Sequence, residues 1–236
     1  MATDNQNELH VGTYNVWLMP SIVTFFAHRV GIDISPSKIT RAQKIAEVIP
    51  AKLDVLVLCE AFCTRSTDLL CKLLQDRHGL AHRTEPLGEK ATRGWCKRKL
   101  LSGGVVIACR YPLEIVEEYR YGSICARDDA LADKGFVYVR FRTSSGLIVH
   151  MFATHTQAWD EVKCVDARAD QLRMLRKIIS EKNISSDEAL LVVGDINVSR
   201  CSQEYDWMLQ ELDCNNPNKN DLSNPSFNHV TNKLAY

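Results

Sequence analysis

Apolar residues along this chain fall into two rhythms. Short, nearly continuous apolar runs that stop at a polar residue predict strands: Leu9–Trp17, Leu53–Cys59, Gly103–Cys109, Leu147–Ala153 and the run from Ala189. Gly135–Phe141 alternates apolar and polar positions, and the turn Thr143-Ser-Ser-Gly146 joins it to the 147–153 run as a hairpin. Leu113–Glu118, after Tyr111-Pro112, is expected to pair back onto 103–109. The second rhythm has a period of three to four residues. Ile39, Ala42, Ile45, Ala46 and Ile49 form one such stripe, closed by Pro50, and Ser66–Asp76 forms another. Val162–Ile179 is the longest helix, and Gln203–Leu212 is the last. Strands and helices alternate without a repeat or a linker, which predicts one α/β domain.

Four of the strands deliver a polar group at or near their carboxyl ends: Asn15, Glu60, His155, and the pair Asp195 and Asn197. In open α/β sheets the crevice beyond the strand ends is where ligands bind. Period-two geometry places Asp195 and Asn197 on one side of the chain while Ile196 turns back to the core. Each group alone also has a structural reading. Gly194-Asp-Ile-Asn197 is turn chemistry, a strand-terminal histidine can be a satisfied core residue, and Glu60 could neighbour a helix N-terminus. Gathered at one edge, a carboxylate, a histidine and two amides could instead hold a phosphate and a hard divalent cation, and oxygen donors favour Mg2+ over zinc.

Charge changes that picture in one respect. The 236 residues carry 29 basic and 29 acidic side chains, so no basic excess points to nucleic acid. No apolar run approaches the ~20 residues that span a bilayer, and the polar segment Met1–Glu8 carries no export signal. The expectation is a cytoplasmic or peripheral membrane protein, with secretion still open if the chain is a fragment. Leu18–Phe26 is apolar enough to be either a membrane-touching lip or a segment packed on the core. The dense basic cluster Lys90, Arg93, Lys97, Arg98 and Lys99 is either a solvated loop or a contact for anionic headgroups. Nine cysteines include no C-x2-C pair of a structural zinc site.

Thr13-Tyr-Asn-Val-Trp17, the strand ending in Glu60, Thr154-His155 and Gly194-Asp-Ile-Asn197 resemble the ordered motifs of the endonuclease/exonuclease/phosphatase superfamily. Within it the chain is similar to the neutral, magnesium-dependent sphingomyelinases. That branch is marked by Asp129-x4-Lys134-Gly-Phe-Val-Tyr138, Thr154-His-Thr-Gln157, Asp166-Ala-Arg-Ala-Asp-Gln171 and Glu204-Tyr-Asp-Trp-Met-Leu209. The resemblance covers nearly the whole chain. It implies an α/β four-layer sandwich over residues 9–236, two mixed β-sheets face to face with helices outside. It implies hydrolysis of sphingomyelin to ceramide and phosphocholine at a membrane surface, with Mg2+ as cofactor and no nucleic acid as partner. In this reading Glu60 holds the metal, and Asn15 lies beside metal and phosphate. His155 and Asn197 donate to phosphoryl oxygens, Asp195 orients water, and Asp129 and Lys134 sit near the substrate. The resemblance also implies a Cys125–Cys164 disulfide, against two reduced thiols in a cytosolic setting. Of two Asn-x-Ser sequons, Asn183 is the credible acceptor, because a glycan on Asn197 would fill the site.

The resemblance breaks at one place. The family carries an aspartate–histidine pair on a late strand, and the sequence reaches Tyr236 before that pair is due; Asn228-His229 falls too early to replace it. The expectation is therefore a domain incomplete at its carboxyl end, lacking one or two strands. Two alternatives stay open: a nuclease or inositol-phosphate phosphatase on the same fold, and an inactive lipid-binding paralogue.

Overall fold

The computed structural model describes residues 8–20, 37–89, 99–200 and 202–215. In chain order these form β1 (Val11–Asn15), α1 (Lys38–Val48), β2 (Val55–Cys59), α2 (Thr64–His78), β3 (His82–Arg83), β4 (Val106–Cys109) and β5 (Leu113–Arg120). A 3-10 turn at Arg127–Leu131 follows, then β6 (Gly135–Arg142), β7 (Ile148–His155), α3 (Val162–Glu181), β8 (Ala189–Asp195) and α4 (Gln203–Leu212).

The strands build two sheets, in the orders β1-β2-β4-β3 and β5-β6-β7-β8. Strand alternation decides what fills the space between them. Val55, Val57 and Cys59 of β2 face Val137, Val139, Met151 and Ala153 of β6 and β7 in one apolar core. The opposite parity of β2, Leu56 and Leu58, packs outward on Ala42, Ile45 and Ala46 of α1 and on Leu70 and Leu74 of α2. Phe136, Tyr138 and Phe152 turn outward from the second sheet onto Leu172, Leu175 and Ile179 of α3 and Met208 and Leu212 of α4. The result is the expected four-layer sandwich. Both faces of the central strands are covered, so their sequences read as apolar runs rather than as alternation.

Two expectations are corrected. Leu113–Arg120 does not return to Val106–Cys109; it pairs antiparallel with Gly135–Arg142 in the other sheet. Both sides of β4 are already occupied, by β2 and by β3. The Tyr111-Pro112 turn therefore carries the chain from one sheet to the other. Second, the apolar run of β8 predicts full burial, but every residue from Ala189 to Asp195 is only half-buried. Among the described residues β8 is an outer strand, paired in parallel with β7 alone. β1 is likewise an outer strand, paired in parallel with β2.

The helix ends follow local chemistry. Ser202 caps α4 by accepting a hydrogen bond from the Tyr205 N–H. α2 stops at Gly79, which takes the left-handed conformation that an L side chain disfavours. Of the apolar 18–26 segment, Leu18 is buried against the core, and residues 21–26 lie outside the described residues. Lys90, Arg93, Lys97, Arg98 and His229 lie outside them as well.

Candidate functional site

Parallel pairing aligns strand ends, and this aligns the polar groups. Asn15 is opposite Cys59 in the β1–β2 pair, one residue before Glu60. His155 is opposite Asp195 in the β7–β8 pair. Asn15 then joins the two sheets: its Nδ2 donates to Glu60 Oε1 at 2.7 Å and to Asp195 Oδ2 at 3.1 Å. The second of these bonds joins residues 180 positions apart. A side-chain carbon at Gly194 would lie 1.8 Å from the Thr154 carbonyl oxygen, so only glycine allows β8 this close to β7 at the rim of the site.

His155 is buried beside this cluster, with Nε2 4.0 Å from Asp195 Oδ2. Its Nδ1 is buried and meets no partner among the described residues. Burial, aided by the charge on Lys134, holds its pKa well below the ordinary histidine value, so the ring is neutral at physiological pH. Glu60 is shifted the other way, up to about 7, by burial; the Asn15 hydrogen bond only partly offsets this. A carboxylate that loses hydration without gaining a full set of partners is a site that a cation would relieve.

Asn197 and Lys134 meet on one backbone carbonyl. Thr156 O accepts from Lys134 Nζ at 2.8 Å and from Asn197 Nδ2 at 3.1 Å. Lys134 is fully buried and paired with Asp129 Oδ1 at 2.8 Å, and Asp129 Oδ2 accepts from the Ala158 N–H at 2.8 Å. Every residue expected at the site is thus in one region. Glu60, Asp195, Asn15 and His155 form its floor, and Asn197, Lys134 and Asp129 form one wall.

Backbone strain marks the same region. Positive φ values at non-glycine residues cost energy and persist where surrounding structure enforces them. Trp17, Glu60, Trp159 and Asn197 all have positive φ, at 49°, 60°, 74° and 54°, and each lies at or just beyond one of the four strand ends.

Sequence reasoning assigned no role to Arg168, Gln157 or Gln171, although each lies inside a stretch it singled out. Arg168 is fully buried and grips Glu204 through two bonds, at 2.6 and 2.9 Å. Its Nη1 also donates to the carbonyls of Gln157 and Trp159 at 2.7 and 3.0 Å. Gln171 accepts from the Gln157 N–H at 2.8 Å, and Gln157 in turn accepts from the Ala126 N–H at 2.7 Å. Together they fix the loop after β7 against the loop before β6.

The Cys125–Cys164 disulfide is not formed. Both are thiols: Cys125 Sγ takes a hydrogen bond from Gln171 at 3.6 Å, and Cys164 Sγ points to Glu161 at 3.9 Å. Each sulfur thus has a polar neighbour of its own. Asn197 is half-buried with its amide donating to the Thr156 carbonyl, whereas Asn183 is exposed.

No group of three or more acidic, histidine or cysteine side chains is poised to hold a metal among the described residues. The donors that do converge are two carboxylates, both hard; the Asn15 Nδ2 lies between them, and its amide oxygen accepts from the Trp17 N–H at 3.2 Å. A small cation that retains several waters needs only one or two such carboxylates. The residues therefore fit Mg2+, which Glu60 would hold with Asp195 and Asn15 beside it.

Known proteins share this fold and part of this sequence. A sphingomyelinase C 2 of Leptospira interrogans is 30% identical over 218 residues, covering 89% of this chain and 34% of its own length. A sphingomyelinase C of Listeria ivanovii is 33% identical over 178 residues, covering 70% of this chain and 51% of its own length. A crystal structure of a Staphylococcus aureus beta toxin variant with bound magnesium ions superposes with a TM-score of 0.75 at 25% identity, covering 86% of this chain and 70% of that one. The chain spans about a third to a half of the length of the two curated relatives. The model of the endonuclease/exonuclease/phosphatase family matches residues 12–232, nearly the whole chain, and the chain belongs to that family.

Proposed function

We propose that the chain carries the site of a Mg2+-dependent phosphodiesterase that hydrolyses sphingomyelin to ceramide and phosphocholine. The observation that carries this reading is the Asn15 amide bridging Glu60 and Asp195 beside a buried, neutral His155. The similarity to sphingomyelinases supports the substrate, and the hard oxygen donors support the metal.

Bound Mg2+ would supply a Lewis acid and a template for the phosphate. The chain's own residues do the rest. Asp195 accepts a hydrogen bond from the attacking water and orients its lone pair toward phosphorus. The new O–P bond forms as the bond from phosphorus to the ceramide oxygen breaks; the proton lost by the attacking water passes to solvent, and the ceramide oxygen takes one up from solvent as it leaves. Charge builds on the non-bridging oxygens, where a neutral His155 N–H and the second N–H of the Asn197 amide can donate. A neutral His155 still carries one ring N–H to donate. The Asp129–Lys134 pair, anchored to the backbone at Ala158 and Thr156, holds the substrate-side wall.

The test is phosphocholine release from sphingomyelin vesicles with and without Mg2+, alongside abasic DNA and inositol polyphosphates as competing substrates. Sphingomyelin turnover that needs both the ion and Glu60 is expected, with Glu60→Ala abolishing it. Turnover indifferent to both, or faster on DNA or inositol phosphates, rejects the reading. Vesicle binding without turnover would leave a lipid-binding protein instead.

A further inference from the structure

Beside the site is a surface that the chemistry above does not use. Trp159 follows the site strand β7 by four residues and is 52% exposed, and Val162, at the first position of α3, is 79% exposed. Leu131, at the end of the 3-10 turn, is 49% exposed, and Leu100 is 73% exposed. These are not scattered. The Leu100 N–H donates to the Leu131 carbonyl at 3.0 Å. The turn that carries Leu131 meets the β7 loop through Ala158 N to Asp129 and through Trp159 Nε1 to Asp128 Oδ1 at 3.1 Å. The Arg127 guanidinium lies 5.0 Å from the centre of the Trp159 ring and pairs with Glu161, one residue before Val162.

This face is held out at an energetic cost. Trp159 and Arg127 both have positive φ, at 74° and 53°, and fully buried Arg168 holds the Trp159 carbonyl. A core could bury a tryptophan and three aliphatic side chains; here the backbone is strained to present them to solvent. Its charges identify the occupant. Among the described residues of the face, Lys99, Arg127 and Lys163 are matched by Asp128, Asp160 and Glu161, so its described part is amphipathic with balanced charge. A surface of nucleic acid or anionic lipid would call for a basic excess. A layer of zwitterionic headgroups over hydrocarbon calls for apolar side chains, an indole with its N–H satisfied, and balanced charge.

We infer that the face formed by Trp159, Leu131, Leu100 and Val162 inserts into the interface of a zwitterionic phosphocholine bilayer and sets the site against it. The inference rests on the lipid-substrate reading for its purpose but not for its test. Sedimentation of the full chain with phosphatidylcholine vesicles free of sphingomyelin reads binding apart from turnover. Trp159→Ala with Leu131→Ser should lower vesicle partitioning about tenfold, because interfacial binding scales with the apolar area inserted. Val162→Asp tests the same face without touching the loop, since a carboxylate at a helix N-terminus is tolerated by the fold, and it should also lower partitioning. Brominated acyl chains should quench indole fluorescence in the parent and less in Trp159→Phe. Added salt or phosphatidylserine should leave partitioning unchanged. Equal partitioning of parent and Val162→Asp, binding that appears only with anionic lipid, or no sedimentation at all overturns the inference. Vesicle binding as expected with no hydrolysis of any phosphocholine ester leaves it standing and removes the catalytic reading.

Discussion

Two histidines on β7 make an instructive pair. His150 and His155 are five residues apart on one strand and both are buried, at 6% and 4% exposed. An odd separation turns them to opposite faces of the sheet. His150 is satisfied at both nitrogens, with Tyr138 OH 2.8 Å from Nδ1 and Glu188 Oε2 3.0 Å from Nε2. Lys182 completes that neighbourhood, 4.5 Å from the Tyr138 ring centre and bonded to Glu117. Among the described residues His155 has one distant carboxylate and no partner at Nδ1. The outer network is closed and stabilises the fold; the inner one is left open, with strained backbone around it. Unsatisfied buried polar atoms in a native structure call for an explanation, and the ligand proposed above would complete the set.

Substitutions can break or sharpen that contrast. The largest effect is expected at Arg168, whose bonds belong to the closed kind yet support the wall of the open site. Arg168→Leu should cost about 3 kcal/mol or more, because Glu204 loses its buried partner; urea denaturation measures it, and a cost below about 1 kcal/mol would show the loop is held otherwise. His155→Ala should lower kcat on sphingomyelin about 10²–10³-fold, with a smaller loss of stability than His150→Ala. The reverse ranking in stability would undo the distinction between the two histidines. His150→Ala should cost about 1–3 kcal/mol by stranding Tyr138 and Glu188, while turnover per folded molecule is retained.

The smallest effect is a pH dependence at the edge of the outer network. The Lys182 ammonium, with the Tyr119 hydroxyl, holds the Glu117 carboxyl below its ordinary pKa. A depressed carboxylate stabilises the fold above its unfolded pKa, and that contribution is lost as pH falls through the folded value. Burial pulls the Lys182 ammonium down, but its bonds to Glu117 and Tyr119 outweigh this and raise it. A raised ammonium stabilises below its unfolded pKa and loses that contribution as pH rises through the folded one. The pair therefore stabilises between the two, and being largely solvated it contributes less than about 1 kcal/mol. Thermal melts of Lys182→Met against the parent should differ most near neutrality and converge in acid.

Much of this was legible in the chain. The strand runs, the helix stripes and the polar residue ending each site strand all appear at their expected places, because local periodicity reports which face is buried. Gly194 was legible as a turn, but its role as the close approach of β7 and β8 was not, since a contact between strands has no local signature. The partner of Leu113–Arg120 was misread for a related reason: adjacency in sequence favours a hairpin, and occupied neighbours of β4 forbid it. Arg168 lay in a recognised stretch, yet an arginine in a helix reads as solvent-exposed until the carbonyls it binds are known.

Sequence alone determined which residues alternate inward, which helices are amphipathic, and which strand ends carry Asn15, Glu60, His155, Asp195 and Asn197. Those follow from the repeat of the backbone and the cost of exposing apolar area. Tertiary structure decided that the amide of Asn15 lies between carboxylates from two sheets, that β8 is only half covered, that Cys125 and Cys164 are free thiols, and that Trp159 points outward. Each of these is a relation between segments distant along the chain. Only the packing of one sheet on the other sets their separation.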